Sequence, residues 1–320
     1  MEQLFEKLEN VLRKTQQELP NGTTVRVYPE SRTSVDNGAL ALVRQDGVKL
    51  LFEITEKASD LSSDFTGDVT LVDNIAVKRC ALDHGNAAAL RKKLPWTAPV
   101  SLRNRTTTFG CGDRLGRATP GHLRAIKKYD VSPVLAQQSI RELNLTGRTY
   151  QDVVDDATFL VFQEGYDKGY GADGDHLKTL DDITAAVDIG MAMITLDLSE
   201  VMLAAAENWS EEQIADAFEK LPAPERGRIL ETYADHVFAL DCCEIRLSAL
   251  EVKRCAVMYL QAMDFALEVY NLLKKRRGDA FDLEISIDET EAPTLPGHHL
   301  FIIRELLHRG IEVSSLAPRF

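Results

Sequence analysis

Residues 163–178 read QEGYDKGYGADGDHLK, and the way this stretch is parsed decides what the rest of the chain can be. Its glycines end a preceding helical run, and a short strand then carries Asp173, Asp175 and His176 out of its far end. Asp173 and Asp175 lie two apart and share one strand face, whereas His176 falls at the strand-to-loop turn, where the pleat stops dictating direction. Two acids and an imidazole within four positions can hold a divalent ion beside a proton-transfer base. Imidazole nitrogen and carboxylate oxygen suit Zn²⁺ or Mn²⁺, and an unligated carboxylate can take a proton. Read alone, the triplet is first a polar turn capping the next helix, since short acidic loops with one histidine are common.

Outward from this strand, one unit recurs: a strand, a polar loop and a helix. Upstream, after Leu94-Pro95-Trp96, SLRNRTTTFGCGDRLG precedes a helix opening at Thr119-Pro120, with proline at the first helical position. PVLAQQS and a helix from about Tyr150 to Phe162 follow. Downstream come a helix over Asp182 to Val187, the strand AMITLDLS, and a helical insertion over about 208–277, broken near Leu221-Pro222. The strand DLEISIDE, a helix near 299–308 and the strand EVSSLA complete the series. Such alternation implies an α/β fold with a parallel sheet. Polar residues recur at the strand ends instead of gathering in one glycine-rich turn, which favours a (β/α)8 TIM-type barrel over a doubly wound sheet. Residues 98–320 supply six of its eight strands. Residues 1–97 read as a small α+β N-terminal domain. Leu4, Phe5, Leu8, Val11 and Leu12 form the stripe of an amphipathic helix over 1–18, and the strand-like runs TTVRVY, GALALV, VKLLFEI and DVTLVDNIAV follow.

Composition narrows the function. Of 320 residues 44% are hydrophobic and 27% charged, an ordinary globular balance. No apolar run approaches the roughly 18 residues that span a bilayer. Lys+Arg 37 against Asp+Glu 50 gives a net charge of −13, which repels nucleic-acid phosphates. The basic cluster Lys274 to Arg277 ends a long helix, where cations favour the negative end of the dipole. Cys80, Cys111, Cys242, Cys243 and Cys255 show no CxxC spacing and read as reduced thiols. With an N-terminus that lacks the apolar core of a signal peptide, the cytoplasm is the expected location.

Further motifs carry two readings each. Phe109 to Gly116, FGCGDRLG, is glycine-rich but lacks GxGxxG spacing, and no Lys-Ser/Thr follows, so it does not read as a nucleotide cradle. Asp113 and Arg114 serve either as a site for a hydroxylated anionic substrate, with Arg114 gripping a carboxylate, or as a structural ion pair. Gln137 and Gln138 offer both hydrogen-bonding polarities to sugar hydroxyls, or pack between strand and helix. Cys111 has no activating neighbour and reads as a packed thiol. Glu284, Ser286 and Asp288 share one strand face, where acids need a partner, a metal or a catalytic use. Glu289 and Glu291 continue that acidity as solvated charge. His298 and His299 point about 100° apart at a helix start and do not share a metal.

Several segments together resemble the tagaturonate epimerases of hexuronate catabolism: FGCGDRLGRATPGHLRA, AQQSIRELNLTGRTYQDVVDDAT, FQEGYDKGYGADGDHLK, EISIDETEAPT and HRGIEVSSLAPRF. The resemblance covers about 107–320. It implies an isomerase acting on a keto sugar acid, with Asp175 as proton acceptor, Glu284 as proton donor and His176 as ligand of a divalent metal such as Zn²⁺ or Mn²⁺. The remaining ligands are implied to be histidines on later strands, beyond Phe320, so the chain reads as C-terminally truncated. The implied reaction interconverts D-tagaturonate and D-fructuronate by inversion at C4, through a retro-aldol step. Two other classes stay open: a catalytically incomplete fragment or binding module, and a related barrel isomerase or aldolase for another keto sugar acid.

Overall fold

A computed structural model describes residue 6 and residues 25–72, 75–241, 243–288 and 293–320. The helix expected over 1–18 (Glu6 apart), Cys242, Glu289 and Glu291 lie outside the described residues. The chain packs as two compact units, residues 1–173 with 189–192, and residues 174–188 with 193–320.

The first unit opens with an antiparallel sheet of β1 (Val25–Val27), β2 (Thr33–Val35), β3 (Gly38–Gln45), β4 (Val48–Thr55), β5 (Asp68–Val72) and β6 (Ile75–Cys80), in the order β1-β3-β4-β6-β5 with β2 also on β3. β3 and β4 pair along their whole length around Asp46-Gly47. Both turn residues have positive φ, 49° and 82°, as a two-residue hairpin turn matching the strand twist requires. The expected run DVTLVDNIAV is in fact two strands, β5 and β6, paired antiparallel with Val72 opposite Ile75. GALALV reads as unbroken apolar sequence because both faces of β3 are buried. Ala39, Ala41 and Val43 join Phe52 and Ile54 on one side. Leu40 and Leu42 join Leu90, Phe159 and Phe162 on the other. Leu90 belongs to α1 (His84–Lys93), capped by Asp83, whose side chain accepts from Asn86 N.

Parallel pairing begins with β7 (Thr108–Gly110) and β8 (Ser132–Ser139), Thr108 opposite Ser132. α2 (Thr119–Ile126) lies between them in sequence; α3 (Ile140–Thr146) and α4 (Tyr150–Gln163) follow β8. α3 was not expected, although Ser139 and Glu142 form a complete capping box and Gly147 ends the helix at φ 63°. The division between the units falls inside β9 (Gly171–Leu177).

The second unit contains α5 (Leu180–Asp188), β10 (Met193–Asp197), α6 (Glu211–Glu219), α7 (Ala223–Tyr233), a hairpin of β11 (Val237–Ala239) and β12 (Glu244–Arg246), α8 (Ala249–Arg277), β13 (Asp282–Ile287), α9 (Pro296–His308) and β14 (Ser315–Pro318). The strand order of the second large sheet is β14-β13-β10-β9-β8-β7. β10 pairs in parallel with β13 and β13 with β14, so the insertion leaves and returns between neighbouring strands. Its hairpin had no sequence counterpart. The α8 helix runs 29 residues and closes on Lys274 to Arg277, the dipole-complementing end read from the sequence. The molecule is thus a mixed α/β protein with a parallel sheet.

Alternation along β10 and β13 sorts the side chains. Ile194, Leu196, Leu283, Ile285 and Ile287 are buried on one face. Thr195 lies opposite Glu284, and Asp197 opposite Ser286, on the other.

Candidate functional site

The polar face of β13 meets the end of β9 at His176. Its φ of 56° places a non-glycine residue in the left-handed region, a conformation that costs free energy and persists where surrounding structure enforces it. Two residues earlier a Cβ on Gly174 would lie 2.8 Å from Leu177, 3.2 Å from Ala186 of α5 and 3.3 Å from Ile194 of β10, so the strand backbone there is packed closely against both elements. The turn delivers the His176 ring to two carboxylates. Nδ1 lies 2.7 Å from Asp175 Oδ1 and Nε2 3.4 Å from Asp288 Oδ1. The Ser286 hydroxyl donates to Asp288 Oδ1 and stands 3.4 Å from His176 Nε2. The hydrogen bond with Asp175 is the main reason the imidazole is held up at about 9, with the charges of Asp175 and Asp288 adding to it and burial opposing.

This arrangement bears on the implied metal. A histidine whose Nδ1 is anchored by a carboxylate presents Nε2 in fixed orientation, as ligating histidines do, and Asp288 stands beside it as a hard oxygen donor. The donor chemistry of His176 and Asp288 fits a divalent ion as part of a set. Among the described residues no group of three or more His, Cys, Asp or Glu is placed to hold one.

Glu284 points to the same face two residues earlier. It is half-buried and accepts from the Ser315 hydroxyl of the neighbouring strand β14. Asp175 and Glu284 are not linked to each other: Asp175 is engaged with His176 and Glu284 with Ser315. At the end of β10 Asp197 is fully buried. Its Oδ1 accepts from Ser199 N at 2.8 Å, and Lys178 Nζ lies 3.2 Å from Oδ2. Burial would raise the Asp197 carboxyl, but the Ser199 contacts and the Lys178 charge outweigh it and hold it below the usual range. Lys178 also donates to Ser199 Oγ at 3.2 Å. Sequence reading missed Lys178. Its signal was position: one residue past β9, with Asp197 closing the neighbouring strand.

In the first unit two pairs of expected substrate ligands come apart. Asp113 is buried and its oxygens are taken by the backbone: Oδ1 accepts from Arg117 N at 3.0 Å, and Oδ2 from Ala118 N, Thr119 N and Thr119 Oγ1 at 2.7, 2.8 and 2.9 Å. Ala118 has no capping side chain, and Asp113 supplies the acceptor α2 would otherwise lack. Burial pushes its carboxyl up, yet these donors outweigh that and leave it lowered. Arg114 is half exposed and binds Glu142, not Asp113. Asp113 and Arg114 thus form no ion pair with each other, because the backbone's demand for a cap takes the Asp113 carboxylate. Gln137 and Gln138 point to opposite faces, as neighbours on a strand must. Gln137 donates to the fully buried Asp173 at 3.3 Å. Gln138 is wholly buried against α3, donating to Thr146 at 3.2 Å, and so takes the packing role. Cys111 is buried and its thiol pushed up by burial. His298 is buried against Tyr259, with Nδ1 3.2 Å from the phenol.

With the site's geometry defined, the comparisons give it context. A tagaturonate epimerase family profile matches residues 28–320, so the likeness extends through the N-terminal sheet and beyond the 107–320 carried by the motifs. The tagaturonate/fructuronate epimerase of Thermotoga maritima (strain ATCC 43589 / DSM 3109 / JCM 10099 / NBRC 100826 / MSB8) is 37% identical over 299 residues, covering 93% of this chain and 61% of that protein. A glycerol-complexed crystal structure of fructuronate-tagaturonate epimerase from Cohnella laeviribosi superposes with a TM-score of 0.88 at 37% identity, covering 98% of this chain and 62% of that one. Its native crystal structure gives 0.87 at 39% identity, covering 96% and 61%. The chain therefore spans about three fifths of the length of these relatives. The motifs, the family profile and the superposition agree: this chain belongs to the tagaturonate epimerase family.

Proposed function

We propose that the chain carries the acid–base part of an epimerase centre interconverting D-tagaturonate and D-fructuronate, the activity named for its relatives. The observation that carries the reading is His176, in a strained backbone conformation, with its nitrogens facing carboxylates from β9 and from the end of β13. Strain of this kind gathers at functional sites.

The two sugars differ at C4, which is β to both the C2 ketone and the C6 carboxylate, so enolisation alone leaves that centre fixed. Breaking the C3–C4 bond frees it. Asp175 or Glu284 takes the proton of the C4 hydroxyl, the O4 electrons form an aldehyde, and the C3–C4 pair moves into a C2–C3 enediolate. The three-carbon aldehyde acid turns its other face, the bond re-forms, and the opposite carboxyl returns a proton to O4. β10 lies between β9 and β13, so at ~4.8 Å per strand step Asp175 and Glu284 arise roughly 10 Å apart. That spacing flanks a sugar chain from two sides. Lys178 supplies a cation for the C6 carboxylate. A divalent ion held through His176 and Asp288 would supply Lewis-acid polarisation of the ketone. In this reading the six parallel strands are the first of a (β/α)8 barrel.

The test is turnover of D-tagaturonate with and without added Mn²⁺ or Zn²⁺, combined with trapping of the three-carbon aldehyde. Fructuronate formation with trapped aldehyde is the expected result. Exchange at C3 with the C3–C4 bond intact would overturn the retro-aldol route. A second reading, a binding module without turnover, is favoured by the shortage of a third metal donor among the described residues; tagaturonate binding without product would select it.

A further inference from the structure

The helical insertion and α9 line an open pocket that shares no residue with the candidate centre. Arg228, Thr232 and Tyr233 of α7 and Arg304, Leu307 and His308 of α9 line about 360 Å³, within the size range of small-molecule sites. The lining contains two guanidiniums, an imidazole, a hydroxyl and a phenol, and no acid.

Two acids pair with Arg228: Glu225, partly exposed and 3.7 Å away, and Glu305, which is wholly buried and already committed. The Glu305 carboxylate accepts from both Arg228 terminal nitrogens at 3.0 and 2.8 Å, from the Tyr233 hydroxyl at 2.7 Å and from Arg309 Nη1 at 2.6 Å. This network fixes Arg228 and Tyr233 in the wall. Arg304 differs. Its guanidinium carbon stands 4.9 Å from the Phe238 ring centre and 5.9 Å from that of Tyr233, and among the described residues it has no ion pair. A guanidinium held by its face against aromatic rings keeps its N–H edge for an outside acceptor. His308 follows one helical turn later, and Leu307 is 67% exposed at the mouth. The wall thus offers an exposed guanidinium seated against two aromatic rings, beside an exposed apolar lip.

We infer that this pocket binds a small organic anion, a carboxylate or phosphate gripped by the edge of Arg304, with Thr232 and His308 alongside and the body of the molecule against Tyr233 and Leu307. The inference does not depend on the epimerase reading. The anion has two sources in chemistry, a sugar acid or a sugar phosphate, and the probes separate them.

Isothermal titration of the 320-residue chain with D-galacturonate, with glucose 6-phosphate and with inorganic phosphate is the experiment. At least one probe should bind saturably at one site per chain. Arg304→Met, which keeps an unbranched side chain and removes the guanidinium, should weaken that binding about tenfold or more with a cooperative thermal transition retained. Arg304→Lys should fall between, because a point charge lacks the two-pronged edge. Leu307→Glu, at an exposed position, should produce the same loss and stands in if Arg304→Met is unstable. Binding of none of the probes, or binding that survives both Arg304→Met and Leu307→Glu at full strength, overturns the inference.

Discussion

Gly112-Asp113-Arg114 and Gly174-Asp175-His176 are the same word written twice: glycine, aspartate and a basic side chain, the first just past β7 and the second in the last turn of β9. Their fates differ because of what the backbone beside them lacks. After β7 residues 111–118 lead into α2 with alanine at its cap position, and Asp113 folds its carboxylate back over the N–H groups of residues 117–119. After β9 only residues 178 and 179 precede α5, where the Thr179 hydroxyl accepts from Asp182 N, and Asp175 is left for the imidazole beside it. One aspartate is spent on the fold and the other is available for chemistry. The basic residues follow suit: Arg114 reaches out to Glu142 at the surface, while His176 is turned inward between two carboxylates.

Breaking the available member should give the largest effect. Asp175→Asn and Glu284→Gln should each lower kcat for tagaturonate by about 10²–10⁴-fold, the usual contribution of a positioned acid or base, with melting curves close to the parent; steady-state assays at saturating substrate check this. Full activity in both variants would return Asp175 to the status of a polar turn.

Breaking the structural member should cost stability instead. Asp113→Ala strands buried N–H groups at the start of α2, and a loss of about 2–3 kcal/mol is expected from cap and desolvation terms together, measured by urea denaturation. Activity per folded molecule should hold at low temperature. The pH dependence sharpens the same contrast. The folded Asp113 carboxyl lies below its unfolded value near 3.9, so its stabilisation is present above that value and is lost as pH falls through the folded one. Denaturation midpoints of Asp113→Asn should therefore show a weaker decline between about pH 4 and pH 2 than those of the parent.

The smallest effect probes the strain. Glycine adopts positive φ without penalty, so His176→Gly should cost little stability, or raise it by up to about 1 kcal/mol, in urea denaturation. A large destabilisation would mean that the imidazole contacts, and not the backbone, hold the loop.

Much of the architecture was legible. The six parallel strands announce themselves as short β-rich runs between helical segments, and each stretch read that way forms a strand. The basic end of α8 and the proline start of α2 were equally plain, because dipole and φ preferences act locally. Three features were harder. DVTLVDNIAV hid a reversal inside one apolar run. α3 carried its Ser139–Glu142 box in a stretch read as loop. The β11–β12 hairpin sits in a segment whose neighbours are all helical. At the site, Glu284, Ser286 and Asp288 were placed on one face by the period of two, and that alternation also separates Gln137 from Gln138. Lys178 went unread because its importance comes from Asp197, on another strand.

The sequence by itself determined the family, the parallel α/β plan and the short list of acids and imidazole, since periodicity, turn chemistry and motif are properties of neighbours along the chain. Only the tertiary structure decided which aspartate of two matching tripeptides is consumed as a helix cap, which glutamine faces Asp173, and that His176 is forced into a left-handed turn between Asp175 and Asp288. Those outcomes depend on which backbone donors lie within about 3 Å of a carboxylate, and that distance is set by the packing of elements far apart in sequence.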